Sequence, residues 1–295
     1  MPSRFLVALA CLGAVAAGFA PAHAAGHPGQ RTLGGSTVTV WPLGDSITFG
    51  ASAQPAPGGY RTSLDQMLTR AGIDHQFVGS WTANSSPTLD LEKENRHDGH
   101  GGYRVDQIRS DLDGIAHGSS DMGGYWLIGR KTSAALTPDV VLVHLGTNDI
   151  LQRWDPRRFP TKDGRADLSS SRQRSIFVSD LTDRLADLVT RLHTLRPHSL
   201  VVLSTIVPID IPAFADTTAA YADSVRRLVV RLNATHVPVA LADAYSTFVS
   251  TAPPGSRVAP GLMSGDGIHP TPAGYAVLAR VFATVLEGRT LPVPA

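Results

Sequence analysis

From Thr37 onward the chain alternates short β-rich apolar runs with longer stretches of helical periodicity, and this alternation constrains the fold most. "TVTVWPL" (37–43) is an unbroken run of strand formers, as expected of a strand covered on both faces. "YRTSLDQMLTRAG" follows, with Leu64, Met67, Leu68 and Ala71 at helical spacing and Gly72 as the stop. "HQFVGS" (75–80) reads as a second strand, and "PDVVLVHLGTND" (138–149) as the central one. An amphipathic helix follows, with Leu181, Leu185, Leu188, Val189 and Leu192 on one side. "LVVLSTIVP" (200–208) gives a fourth strand, residues 217–233 another helix, and "VPVALAD" (237–243) the last strand. The final helix has Thr271 as N-cap, Pro272 in its first turn and Gly288 as its stop. Five strands separated by helices predict βαβ units, hence a parallel α/β sheet with helices on both faces. The polar segment 152–174 reads as a surface insert, either a solvated face or a rim that meets substrate.

The ends of the chain and its composition narrow the class. Arg4, the apolar run "FLVALACLGAVAAGFA" and the small-x-small site Ala22-His23-Ala24 describe a secretory signal peptide over residues 1–24. A membrane anchor is the alternative, but the run falls short of the roughly 20 apolar residues a span needs. Residues 25–36 read as a Gly-rich flexible tether, and residues 37–290 as one domain. Cys11 is the only cysteine, so the mature chain has none to serve as nucleophile or zinc ligand. A net charge of +1, without long runs of like charge, leaves no polyanion-binding footprint. The expectation is a secreted monomer that binds no nucleic acid and does not insert stably into membranes.

In an open parallel sheet, ligands bind beyond the carboxyl ends of the strands. Two polar clusters fall at such ends: Gly44-Asp45-Ser46 after the first strand, and Gly146-Thr147-Asn148-Asp149 after the central one. Gly44 is expected to permit a sharp turn and Asp45 to organise it. A serine needs a base to become a nucleophile. Of the 11 histidines, His269 in "GDGIHP" is best placed, because Pro270 keeps it out of the helix that follows. Asp266, three residues earlier, is positioned to hold the other imidazole nitrogen; Asp45 is the alternative orienter, and a purely structural turn is the bland reading. Asn148 offers a side-chain amide to a developing oxyanion, and Gly102 in "GHGGYRVDQI" offers a backbone N–H with no side chain in the way. Taken singly, each of these is also an ordinary turn residue. No G-x-S-x-G surrounds Ser46, which argues against a nucleophile elbow.

The blocks "GDSITFG", "GHGGYRVDQI", "GTNDI" and "DGIHP", in that order, resemble the SGNH (GDSL) hydrolase superfamily. The resemblance implies a three-layer α/β/α sandwich with a flavodoxin-like, five-stranded parallel sheet. It implies Ser46 as nucleophile, His269 as base and Asp266 as its orienter. Ser46 N–H, Gly102 N–H and the Asn148 amide are implied as the oxyanion hole. "GYRTSLDQML", "FVGS" and "NRHDGHGGYRVDQI" are similar to the carbohydrate esterase family 3 acetylxylan esterases. From that segment the chain departs at Asp98, where Glu is common, and at Tyr103, where Trp is common. The implied activity is hydrolysis of a small acyl ester, acetyl foremost, on a polysaccharide such as acetylxylan, with no cofactor and no metal. A lipase or phospholipase-like acylhydrolase is the alternative, and a carbohydrate-binding protein with a decayed site is the non-enzymatic one. His97 and His100 have metal-ligand spacing but lack a third ligand, and His100 is expected to support the Gly102 loop. His144 is expected to be a hydrogen-bonded structural histidine. Asn84 and Asn233 match the glycosylation acceptor pattern.

Overall fold

The computed structural model describes residues 30–32, 37–115, 126–127, 135–155, 165–249, 257–287 and 289–292. In chain order the elements are strands β1 (Gln30–Thr32) and β2 (Val38–Gly44), helices α1 (Ser46–Phe49) and α2 (Tyr60–Arg70), strand β3 (His75–Phe77) and helix α3 (Pro87–Glu92). Strand β4 (Asp98–Gly99), helix α4 (Val105–Leu112), strand β5 (Val140–His144) and helices α5 (Thr147–Gln152) and α6 (Ser171–Leu195) follow. Then come strand β6 (Leu200–Ser204), helix α7 (Pro212–Ala234), strand β7 (Val239–Ala242), helices α8 (Ala244–Val249) and α9 (Pro272–Leu286) and strand β8 (Thr290–Pro292).

The five expected strands form one parallel sheet in the order β3-β2-β5-β6-β7, the flavodoxin-like order. A sixth strand departs from the expected count: β4 pairs in parallel with the end of β2, Leu43 opposite Asp98 and Gly44 opposite Gly99. Two residues leave too little apolar pattern for a strand to be read from sequence. Alternation along the strands sorts the core into two halves. Trp41, Leu43, Val141, Val143 and Leu203 pack with α4, α6 and α7 on one face. Val38, Val40, Val140, Leu142 and Val202 pack with α2, α8 and α9 on the other.

Several boundaries moved for local reasons. Ser170 caps α6 by accepting from the Gln173 N–H, so the helix begins inside the expected insert, and Gln152 at the insert's other end closes α5. Of the expected insert, residues 153–155 and 165–170 are described and are not helical, and the rest lies outside the described residues. Pro212 opens α7 five residues before the apolar periodicity begins. Within the expected tether, Gln30–Thr32 pairs antiparallel with Thr290–Pro292. The signal-peptide residues, the rest of the tether and the Gly288 stop lie outside the described residues; α9 ends with Glu287 as its C-cap.

Gly44 is required for space. A Cβ there would lie 2.5 Å from the His144 carbonyl oxygen of the neighbouring strand, and it would also collide with the Thr48 side chain. The crowding arises where β2 turns directly into α1 while still paired to β5. Gly44→Ala is expected to destabilise the fold by about 1–3 kcal/mol through overpacking. Denaturant unfolding should show a lower midpoint at an unchanged slope.

Candidate active site

β2 and β5 run parallel with Gly44 opposite His144, so the Gly44-Asp45-Ser46 and Gly146-Asn148 clusters leave the sheet at the same edge. Ser46 opens the single-turn helix α1, whose N-cap is Asp45: its Oδ1 accepts from the Ile47 N–H at 2.9 Å. Desolvation pushes the fully buried Asp45 carboxyl up to about 7. Asp45 thus caps the turn that carries Ser46 and is not the group that contacts His269.

That contact belongs to Asp266. His269 Nδ1 lies 2.7 Å from Asp266 Oδ2, and His269 Nε2 lies 3.0 Å from Ser46 Oγ. The carboxylate fixes the tautomer: Nδ1 carries the proton, which leaves Nε2 to accept from the serine hydroxyl. Partial burial works against ionisation of Asp266. The His269 backbone N–H and imidazole, the Ile268 N–H and the Ser264 hydroxyl outweigh it and hold the carboxyl far below its usual range. The loop is anchored by Asp210 N–H donating to the Gly267 carbonyl at 2.7 Å and by Ser264 N–H donating to the His269 carbonyl at 2.8 Å. Thr271 caps α9 immediately afterwards by accepting from Gly274 N–H at 3.1 Å.

The expected oxyanion donors lie on three neighbouring strand ends. Gly102 follows β4 at φ +81°, with open space where a side chain would stand. Asn148 lies in α5, where its Nδ2 donates to the Tyr103 carbonyl at 3.0 Å, leaving its second N–H uncommitted to that bond. Among the described residues, neither the Ser46 nor the Gly102 backbone N–H has a protein acceptor. Asp149, next to Asn148, accepts from the Val105 N–H at 3.0 Å, and burial pushes its carboxyl up to about 6 despite the nearby Arg184 guanidinium.

His100 supports this edge. It is buried, its N–H donates to the Gly44 carbonyl at 2.9 Å, and its ring stacks on Tyr103 (5.0 Å) and Trp126 (5.3 Å). The two departures from the family 3 segment are buried beside it. Asp98 accepts from Trp41 Nε1 at 2.7 Å and from Ser80 N–H at 3.0 Å, while Tyr103 is the stacking partner. Both His97 ring nitrogens are engaged: Nε2 with the Ala83 carbonyl at 2.8 Å and Nδ1 with the Gly99 N–H at 3.0 Å. That arrangement needs a neutral imidazole with no lone pair to spare, and burial pushes its pKa down to about 3. Among the described residues no group of three or more His, Cys, Asp or Glu could hold a metal ion. His144 Nε2 accepts from the Val207 N–H at 3.2 Å, the structural role expected of it. The two glycosylation matches are occupied amides: Asn84 Nδ2 donates to the Phe49 and Gly50 carbonyls, and Asn233 Nδ2 to those of Val229 and Val239.

Sequence reasoning missed Arg61. Its guanidinium is buried and reaches the Thr48, Phe49, Asn84 and Asn95 carbonyls, holding the far end of α1. Arg61 sits among the polar positions of α2, and nothing in the helical periodicity marks it as buried.

Solved structures share this architecture. A Clostridium thermocellum family 3 carbohydrate esterase matches with a TM-score of 0.58 at 22% identity, over 85% of this chain and 95% of that one. A family 3 carbohydrate esterase from Talaromyces cellulolyticus gives 0.57 at 20%, over 84% and 95%. A catalytic mutant of an acetylxylan esterase from Geobacillus stearothermophilus gives 0.56 at 18%, over 86% and 96%. At these identities the likeness establishes the fold. A multidomain esterase of Ruminococcus flavefaciens is 28% identical over 121 residues, which span 39% of this chain and 15% of that protein. Residues 43–277, the stretch that runs from the end of β2 through Ser46 and His269 into α9, match the GDSL-like Lipase/Acylhydrolase family, and the chain belongs to that family.

Proposed function

We propose that the chain is a secreted serine esterase that removes short acyl groups, acetyl foremost, from plant polysaccharide such as acetylxylan. The observation that carries this reading is the continuous relay Asp266–His269–Ser46, with contacts of 2.7 and 3.0 Å, beside N–H groups free to meet an oxyanion. Ser46 Oγ attacks the ester carbonyl while His269 Nε2 takes its proton. The C–O bond to the sugar then breaks, and the sugar oxygen leaves with the proton returned by the imidazolium. Water, deprotonated by the same nitrogen, frees the acid from Ser46. Asp266 stays ionised throughout and stabilises the imidazolium. Ser46 N–H, Gly102 N–H and the Asn148 amide receive the negative charge that develops on the carbonyl oxygen.

The names of the solved relatives, family 3 carbohydrate esterases and an acetylxylan esterase, support acetylated polysaccharide as the substrate class. Secretion rests on the pattern of residues 1–24. None of the helices among the described residues is long and apolar enough to cross a membrane.

Ser46→Ala is expected to lower p-nitrophenyl acetate turnover by a factor on the order of 10⁴ or more, with an unchanged melting temperature. Full turnover in that variant would end the proposal. With the native chain, esters of increasing acyl length should be hydrolysed progressively more slowly than acetate, whereas faster cleavage of long chains would indicate a lipase. Asp266→Asn tests the relay through pH. The depressed folded pKa of Asp266 contributes stability that is present above the unfolded value near about 4 and lost as pH falls through the folded value. The melting-temperature gap between native protein and Asp266→Asn should therefore be widest above about pH 5 and shrink steadily in stronger acid. A gap that widens on acidification would contradict the hydrogen-bonded carboxylate.

A further inference from the structure

A glycine at positive φ has no side chain to hold its torsions, so the direction of the Gly102 N–H depends on what grips the adjoining peptides. The peptide after Gly102 is held on both sides. Its N–H, that of Tyr103, donates to the His100 carbonyl at 3.2 Å, and its oxygen accepts from Gln152 Nε2 at 2.8 Å. The next peptide is held likewise: the Tyr103 carbonyl accepts from Asn148 Nδ2, and the Arg104 N–H donates to Gln107 Oε1 at 3.0 Å. Asn148 and Gln152 are four residues apart on α5 and so lie on one face of it. Two side-chain amides, one turn apart, thus grip two successive carbonyls of the segment that carries the Gly102 N–H.

The orientation of the Gln152 amide is itself fixed. Arg104 Nη1 donates to Gln152 Oε1 at 2.8 Å, which leaves Nε2 to face Gly102. Arg104 is braced in turn by its fork on Asp106 (2.9 and 3.1 Å) and by the Trp154 ring 4.7 Å beneath its guanidinium. The glutamine is only half-buried and is not part of the hydrophobic core.

We propose that Gln152 is a positioning residue for the oxyanion hole: its amide holds the Gly102 carbonyl and thereby aims the Gly102 N–H at the developing oxyanion. This proposal rests on the esterase reading above. Gln152 touches no reacting atom; it acts through the torsions of Gly102. Because a misaimed donor weakens transition-state stabilisation while leaving ground-state binding largely intact, its removal should appear in kcat.

Two variants separate this role from a merely structural one. Gln152→Ala removes both contacts. Gln152→Glu preserves size and the acceptor for Arg104 but sets a carboxylate oxygen against the Gly102 carbonyl in place of a donor. With p-nitrophenyl acetate, both variants should lose about tenfold or more in kcat, within the loss of about 10²–10³ for deleting a whole donor. KM should stay within about threefold and the melting temperature within a few degrees of the native protein. Native kcat in Gln152→Glu would overturn the proposal, because it would show that holding Arg104 is the whole role. So would a loss confined to KM, or native kcat in both variants. Ser46→Ala in the same assay distinguishes the two levels: turnover surviving there removes the esterase reading itself. An inactive Ser46→Ala alongside a fully active Gln152→Glu removes only the positioning role.

Discussion

The parallel pairing of β2 with β5, Gly44 against His144, is the constraint on which the site depends. Because the strands run the same way, the chain leaves both at one edge, and a residue just past either end faces the same space. β4 extends the arrangement by pairing with β2 on its other side, which delivers His100 to Gly102 beside Ser46. On the proposed function, three oxyanion donors from distant parts of the sequence thereby meet around one serine. His269, the base on that reading, arrives separately, from a loop tied to Asp210 after β6, and Thr271 fixes where that loop ends and α9 begins.

Holding such an edge requires buried polar groups, and here each charge is handled by a different device. Among the described residues no carboxylate pairs with Arg61; four backbone carbonyls solvate it, and burial lowers its pKa to about 10. Hydrogen bonds to a charged group are worth roughly 1.5–3 kcal/mol each, enough in number to offset much of the desolvation of a guanidinium. Asp45 and Asp149 face the opposite problem. Burial raises both toward neutrality, so each can act as a cap on Ile47 N–H or Val105 N–H while carrying less than a full charge near pH 7. Asp266, the only carboxylate of the relay, is the half-exposed one, and four donors keep it ionised. On the proposed function, an orienter that must stay anionic while its imidazole gains and loses a proton belongs in that environment.

The sheet was legible because β2, β5, β6 and β7 are apolar runs rich in Val, Leu and Ala, which is what burial on both faces demands; β3, His75–Phe77, is a short edge strand with Gln76 exposed. Ser46, Asn148 and His269 were legible because each sits at a strand or helix boundary, where topology itself predicts convergence. The short elements escaped: β4 and α1 carry two and four residues, too few for any periodicity to register. At Gly44 the space requirement was not legible, since the carbonyl it must clear belongs to a strand 100 residues downstream. Arg61 and Gln152 escaped for a related reason. Both act on backbone carbonyls, and a carbonyl has no sequence signature.

On the proposed esterase reading, the same distinction explains how the work of an oxyanion hole is distributed along this chain. The donors are backbone N–H groups and one amide, so the residues named by motif supply little beyond an absent side chain at Gly102 and a correctly spaced one at Asn148. Their aim comes from neighbours that close each adjoining peptide: Asp45 for the Ser46 turn, and His100, Gln107, Asn148 and Gln152 for the Gly102 segment. Pre-set donors stabilise developing charge because no reorganisation is needed when it appears. Asn148 is both a donor and a clamp, since one amide hydrogen holds the Tyr103 carbonyl while the other is left for the cleft. Placing it one turn before Gln152 and next to Asp149 makes α5 the element that registers β4's loop against β5's end. A shift of α5 would therefore misplace the Asn148 amide and the Gly102 N–H together, coupling two donors that lie 46 residues apart in sequence.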